Sequence, residues 1–102
     1  MAYFPAITLS ANENSLNISQ FGNFEKTAYG ELECLLSLAP SDSVLTAEVV
    51  RQRGEYKIVI KLVSQILQLF EIGTGRSPYV ALEKAVLRAR DSVRLWSIKK
   101  TV

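Results

Sequence analysis

The sequence predicts an α+β fold, a two-layer sandwich with the element order β-α-β-β-β-α, in which both helices cover one face of a four-stranded sheet. Two segments space their apolar residues at three- and four-residue steps, which is typical of amphipathic helices. Between them lie segments in which apolar and polar residues alternate, as in strands with one buried face. With 102 residues, 48% of them hydrophobic, we expect one domain over residues 1–102 that buries a modest core.

The first strand is predicted at residues 6–10, a β-prone run that follows Pro5. Proline suits the beginning or the edge of a strand because it has no amide N–H to donate. The next stretch, residues 12–15, is short and polar, as loops often are. Residues 16–19 could extend the first strand or replace it, and the sequence leaves that choice open.

A helix is predicted from about residue 23 to residue 38. Its inner face would consist of five apolar residues, namely Phe24, Ala28, Leu32, Leu35 and Leu36. Gly30 lowers the helix propensity of the middle turn, and we interpret it as a point of close contact with the sheet. Pro40 ends the helix, because the residue before a proline is pushed away from helical geometry.

A hairpin gives the strongest strand signal. It consists of residues 44–51 and 55–62 around Arg53-Gly54, where glycine supplies the backbone angles of a tight turn. We expect the sheet face away from the helices to be polar, because the alternation sends charged residues there. The charged residues expected on this face are Glu48, Lys57 and Lys61.

A further strand at residues 66–72 and a turn at residues 73–75 lead into the last helix. Ser77 can cap the free amides of that helix, and Pro78 suits its first position. The helical spacing continues to about Trp96. The residues predicted to pack onto the sheet are Leu82, Ala85, Val86, Ala89, Val93 and Trp96.

The net charge of +2 hides an uneven distribution. Residues 1–42 carry one basic and five acidic side chains, a net charge of −4, whereas residues 43–102 carry eleven basic and five acidic ones, a net charge of +6. Most cations of the last helix lie opposite its apolar face. Such polarity indicates a polyanionic partner for the second part of the chain.

Catalytic chemistry finds little support in the sequence. There is no histidine, and the carboxylates are scattered singly, so we predict that the protein is not an enzyme. Cys34 lacks a histidine to activate it and is interpreted as a structural thiol. Residues 73–77 precede a helix and could cradle a phosphate, but their spacing matches no nucleotide-binding motif, which favours a plain turn. No cofactor and no metal site is predicted.

The location of the protein is predicted from what its sequence lacks. No apolar run approaches the roughly 20 residues of a membrane span, and no secretory signal opens the chain. The single cysteine cannot form an internal disulfide. We therefore expect a cytoplasmic protein without membrane contact.

From Ser77 to Val93 the sequence resembles the last helix of the ribosome hibernation-promoting factors, also called ribosome-associated inhibitors. The similarity consists of Pro78-Tyr79 followed by small, apolar and acidic residues, then further apolar residues and a basic end. Residues 47–50 and 55–61 are similar to the second and third strands of that family. The resemblance covers about residues 43–100, and the family has the element order predicted above.

This resemblance implies binding to the small ribosomal subunit in the channel used by mRNA and tRNA, with translation inhibited on idle ribosomes. In the family, basic side chains contact ribosomal RNA. Here the last helix would supply Lys84, Arg88, Arg90, Arg94, Lys99 and Lys100. The hairpin would supply Arg51, Arg53, Lys57 and Lys61. We expect phosphate contacts rather than base stacking, because no exposed aromatic side chain is expected among these cations.

The first helix departs from the family pattern, since it carries Glu25, Glu31 and Glu33 where family members usually carry lysines. The chain is also too short for the C-terminal dimerisation domain of long family members, and a homodimer stays open. The alternative is a small protein–protein interaction module without RNA binding. That module would use Leu87 and Leu95, which we expect to be exposed on the last helix.

Overall fold

The order of helices and strands is the predicted one. The computed structural model describes residues 7–11 and 24–100, with the backbone alone described for Ala11 and Lys100. The elements are β1 (Ile7–Ala11), α1 (Phe24–Ser37), β2 (Val44–Gln52), β3 (Glu55–Val63), β4 (Gln68–Gly75) and α2 (Pro78–Lys100). The α+β prediction is thus confirmed. The alternative first strand, at residues 16–19, lies outside the described residues.

The four strands form one sheet in the order β1-β2-β3-β4. β1 runs parallel to β2, and the other two pairs are antiparallel. Both helices pack on the same face, as predicted, and share one hydrophobic core with it. Apolar strand residues buried on that face are Ile7, Leu45, Ala47, Val49, Tyr56, Ile58, Ile60 and Leu62.

The two helices are joined through aromatic and aliphatic contacts above the sheet. Phe24 at the start of α1 is fully buried and meets the ring of Tyr79 edge-on, with the ring centroids 5.3 Å apart. On α2, Val93 is buried, whereas Trp96 is only partly buried against the core. Trp96 therefore contacts the core, as predicted, but its side chain keeps part of its surface in solvent.

The hairpin turn has the predicted position. Arg53 has a φ of 51° and Gly54 a φ of 80°, as required at both central residues of the two-residue turn whose twist matches that of the strands. Glycine adopts such angles without steric cost, whereas for Arg53 they are uncommon.

β4 begins and ends later than predicted. Residues 64–67 form a turn in which the buried Ser64 hydroxyl oxygen accepts hydrogen bonds from the amides of Ile66 (3.1 Å) and Leu67 (2.8 Å). The strand therefore starts at Gln68 rather than residue 66. At its other end, residues 73–75 are paired with residues 56–58 of β3, so the predicted turn there is wrong.

Gly73 explains why this strand end lies under a helix. A Cβ atom at Gly73 would collide with the carbonyl oxygen of Ala81 and the amide nitrogen of Ala85, and would lie 2.9 Å from the Ala85 Cα. α2 thus rests directly on the backbone of β4. Gly30, which we expected to mark such a contact, has nothing within 4 Å of its Cβ position. It faces solvent, and that interpretation is wrong.

Candidate nucleic-acid interface

α2 positions most of the predicted RNA-binding residues. Its first turn is capped as expected, since the Ser77 hydroxyl accepts a hydrogen bond from the Val80 amide (3.2 Å) and the Ser77 carbonyl accepts one from the Ala81 amide (3.1 Å). Nothing in residues 97–100 breaks a helix, and α2 continues to Lys100 instead of ending near Trp96. Lys99 therefore belongs to the helix.

The cations of α2 lie on its outer surface. Lys84, Arg88, Arg90, Arg94 and Lys99 are all exposed. The side chain of Lys100 lies outside what the structure describes. Within the described residues, no carboxylate pairs with any of these five cations. Their charge is thus available to an anionic partner.

These cations face two different sides of α2. Arg90 and Arg94, four residues apart, line the groove between α2 and the end of α1. Arg88 points to the other side, where its Nη1 donates a 2.7 Å hydrogen bond to the carbonyl oxygen of Ile72 in the edge strand β4. Nearby, the Ser92 hydroxyl donates to a Glu71 carboxylate oxygen at 3.1 Å. Arg88 is therefore partly committed to holding α2 on the sheet.

The hairpin cations lie in two further places. Arg51 is exposed, with its guanidinium carbon 5.8 Å from the centre of the Tyr56 ring, within the range of a cation–π contact. Arg53 occupies the turn at the same end of the sheet. Lys57 and Lys61 point to the open face of the sheet, away from both helices. The predicted residues therefore form no single surface.

The open face of the sheet is less polar than predicted. Glu48, Lys57 and Lys61 do lie there, but Val44, Val50, Val59, Val63, Phe70 and Ile72 share the face with them. Phe70 is 60% exposed and stands directly opposite Lys61 in the β3–β4 pairing. The expectation of cations without an exposed aromatic is therefore wrong on this face. Phe70 lies within the strand predicted from the sequence, but the face to which it points depends on the pairing of β4 with β3.

α1 gives the opposite electrostatic character. Glu25, Glu31 and Glu33 are exposed, as is the one cation of the helix, Lys26. Cys34 is also exposed on this helix.

Two open cavities lie along the groove between the helices. The first, of about 430 Å³, is lined by the carboxylates Glu31 and Glu83 together with Arg90. Its apolar walls include Leu82 and Val86. The second, of about 420 Å³, has Arg90 and Arg94 on its rim and Leu38, Val93 and Ser97 as its other lining residues. The charge therefore changes along the groove. The first cavity has charged residues of both signs, whereas the charged residues of the second are both arginines.

A metal site and a membrane-spanning helix are both absent from the part of the chain that the structure describes. Over residues 7–11 and 24–100, no three His, Cys, Asp or Glu side chains come together as a metal site would need. In the same ranges, neither helix has the length and apolar character that crossing a membrane would require. The possible phosphate cradle at residues 73–77 is largely strand β4, whose backbone is engaged in the sheet.

Solved structures share this architecture. The N-terminal domain of Protein Y from Thermus thermophilus superposes with a TM-score of 0.66 at 13% identity, over 87% of this chain and 94% of that one. A ribosomal subunit interface protein from Coxiella burnetii gives a TM-score of 0.65 at 5% identity, over 90% of this chain and 97% of that one. The chain has the fold of these proteins. Both are proteins of the ribosome-associated class that the sequence resemblance indicated.

No family model matches the sequence, and no curated protein matches it either. At 13% and 5% identity, the two structures establish the fold and leave the chemistry of the surface to be argued from this chain's own residues.

Proposed function

We propose that this protein is a ribosome-associated regulator that binds RNA of the small subunit and lowers translation by idle ribosomes. The proposal rests chiefly on the outer surface of α2, where exposed cations have no described carboxylate partner. A likeness in fold to Protein Y and to a ribosomal subunit interface protein supports it. The resemblance of residues 43–100 to the hibernation-promoting factors supports it independently of the coordinates.

The contact with RNA is proposed to be made mainly through phosphates. Lysine and arginine side chains on one helix can follow a sugar–phosphate backbone without reading its sequence. Arg90 and Arg94 are the central residues of this contact, because Arg88 already donates to the sheet. Lys57 and Lys61 lie on the opposite side of the molecule and are not expected to reach the same RNA surface. No catalytic step is part of this function.

Sedimentation of cell lysate through a gradient tests the proposal. At low salt the protein should travel with the small subunit. Replacing Lys84, Arg90 and Arg94 by Ala should release it, and circular dichroism should show an unchanged fold because all three side chains are exposed. The Lys57→Ala, Lys61→Ala variant removes charge from the open face of the sheet and serves as the control that should stay bound. Absence of the parent protein from ribosomal fractions would contradict the proposal.

The second candidate is a protein–protein interaction module. The observation in its favour is that Leu87, Leu95 and Ile98 on α2 are 55%, 59% and 56% exposed. Leu87 and Leu95 were expected to be exposed, and they are. If the protein is absent from ribosomes, affinity capture should return one protein partner whose binding is abolished in a Leu87→Asp, Leu95→Asp variant.

A further inference from the structure

The cationic cavity at the end of the α1–α2 groove combines two kinds of chemistry. Arg90 and Arg94 lie one helical turn apart on its rim, while Leu38 and Val93 supply apolar lining. Leu38 is 54% exposed, so its side chain offers the cavity an apolar wall. Neither arginine is paired with a carboxylate among the described residues. A ligand that fits must therefore carry an anionic group beside an apolar or flat one.

We propose that this cavity takes one unpaired nucleotide of an RNA, with its base against Leu38 and its phosphate between Arg90 and Arg94. The volume of about 420 Å³ falls in the range of about 300–1,000 Å³ typical of small-molecule pockets. Guanidinium groups suit both parts of a nucleotide, because they bind phosphate in a fork and also stack on the face of a base. This inference rests on the proposed function and deepens it, since it adds a base contact to the phosphate contacts of α2.

The neighbouring cavity explains why a single nucleotide fits better than a continued strand. Beyond Arg90 the groove presents the carboxylates Glu31 and Glu83. A second phosphate placed there would face two like charges, which is unfavourable at short range. The RNA chain must therefore leave the groove toward solvent on the Arg90 side of the inserted nucleotide. A base in a paired helix cannot enter in this way, whereas a bulged or single-stranded one can.

Binding of matched RNA strands by fluorescence anisotropy tests the inference. One probe is a nine-nucleotide single strand of adenosines, and the other has the same length and phosphates but no bases. The parent protein should bind the intact strand at least about fivefold more tightly, which is the effect of removing about 40 Å² of apolar surface from water. Leu38→Ala should remove most of this preference while the affinity for the abasic strand stays the same.

The control variant is Leu95→Ala, because Leu95 is 59% exposed, close to the 54% of Leu38, and does not line the cavity. It should keep the preference. Equal binding of both strands by the parent protein would overturn the inference while leaving the phosphate contacts intact. A preference that survives Leu38→Ala would also overturn it and place the base elsewhere. Failure to bind either strand would overturn this inference, whereas the proposed function would still be decided by sedimentation with the small subunit.

A free nucleotide carries the same phosphate and base as a nucleotide within an RNA and could also fill the cavity. Competition with adenosine monophosphate distinguishes these two ligands. If the nucleotide belongs to an RNA, millimolar adenosine monophosphate should leave most of the labelled strand bound, because the strand gains further phosphate contacts along α2. Displacement at micromolar concentration would overturn RNA as the source.

Discussion

The outer surface of α2 and the open face of the sheet both carry basic side chains, yet they are built differently. On α2 the cations flank the buried face of the helix, with Arg90 and Arg94 on one side and Arg88 on the other, and no described carboxylate pairs with them. On the open face of the sheet, Lys57 and Lys61 alternate with valines along β3, and Lys61 stands opposite Phe70 of β4. The first surface suits a phosphate backbone, and the second offers apolar contact between two charges. A count of cations along the chain does not distinguish the two surfaces. In the fold, the sheet separates them.

The largest expected effect concerns the two sides of β3. Ile58 is fully buried beneath the helices, and its neighbour Val59 is half-buried on the open face. Ile58→Ala should lower the free energy of unfolding by about 2–5 kcal/mol, and Val59→Ala by less than about 1 kcal/mol. Denaturant unfolding measures both. Equal decreases would mean that the open face is covered by something in solution, and the comparison above would fail.

RNA affinity should separate the two basic surfaces next. The Arg90→Ala, Arg94→Ala variant should bind structured RNA about tenfold or more weakly, because each charge-assisted hydrogen bond contributes more than a neutral one. Its log–log dependence on salt should become shallower by about 0.7–0.9 for each phosphate that the variant no longer neutralises. The Lys57→Ala, Lys61→Ala variant removes as many charges, and its salt dependence should match the parent. Equal changes in both variants would indicate that only net charge matters.

Trp96 gives a smaller effect and a convenient signal. Full truncation of a buried Trp costs about 3–5 kcal/mol, but Trp96 is only partly buried, so Trp96→Ala should cost about 1–2 kcal/mol. It is the one tryptophan of the chain, so its emission reports on the end of α2. A red shift on unfolding is expected, together with little change when Lys57 and Lys61 are replaced.

The smallest effect is expected at Phe70, which is 60% exposed. Phe70→Ala should change the free energy of unfolding by no more than about 0.5 kcal/mol, as surface substitutions usually do. Its affinity for structured RNA should equal that of the parent. A fivefold weaker affinity with unchanged stability would show that the open face stacks bases, and the roles of the two surfaces would need revision.

The order of elements could be predicted because local patterns determine it. Helical spacing, the Arg53-Gly54 turn and the Ser77 cap each act within a few residues, and the structure has all three. The limits of β4 could not, because they depend on a side chain–backbone turn at Ser64 and on pairing with the preceding strand β3. The significance of Gly73 depends on a helix that follows it in the chain, whereas Gly30 looked equally special and contacts nothing.

The sequence predicted which basic residues the candidate site contains, but it did not predict which of them share a surface. Each cation could be placed on its helix or strand from periodicity, and the outer location of the α2 cations followed from its apolar stripe. The separation of Lys57 and Lys61 from α2 was implicit in the assignment of the helices to one face. The cationic cavity was not predictable, because Leu38 and Arg94 meet there only through the packing of α1 against α2.

The hydrogen bond from Arg88 to the Ile72 carbonyl also has a meaning for solubility. β4 is an edge strand, and unpaired backbone groups on such an edge are a template on which another chain can add a strand. A fixed guanidinium at that edge occupies an acceptor and brings a positive charge to any copy that approaches. Removing Arg88 therefore opens a route to self-association as well as removing a cation from α2. A weaker RNA signal from an Arg88 variant can be assigned to the missing cation only after light scattering has shown that the variant remains dispersed.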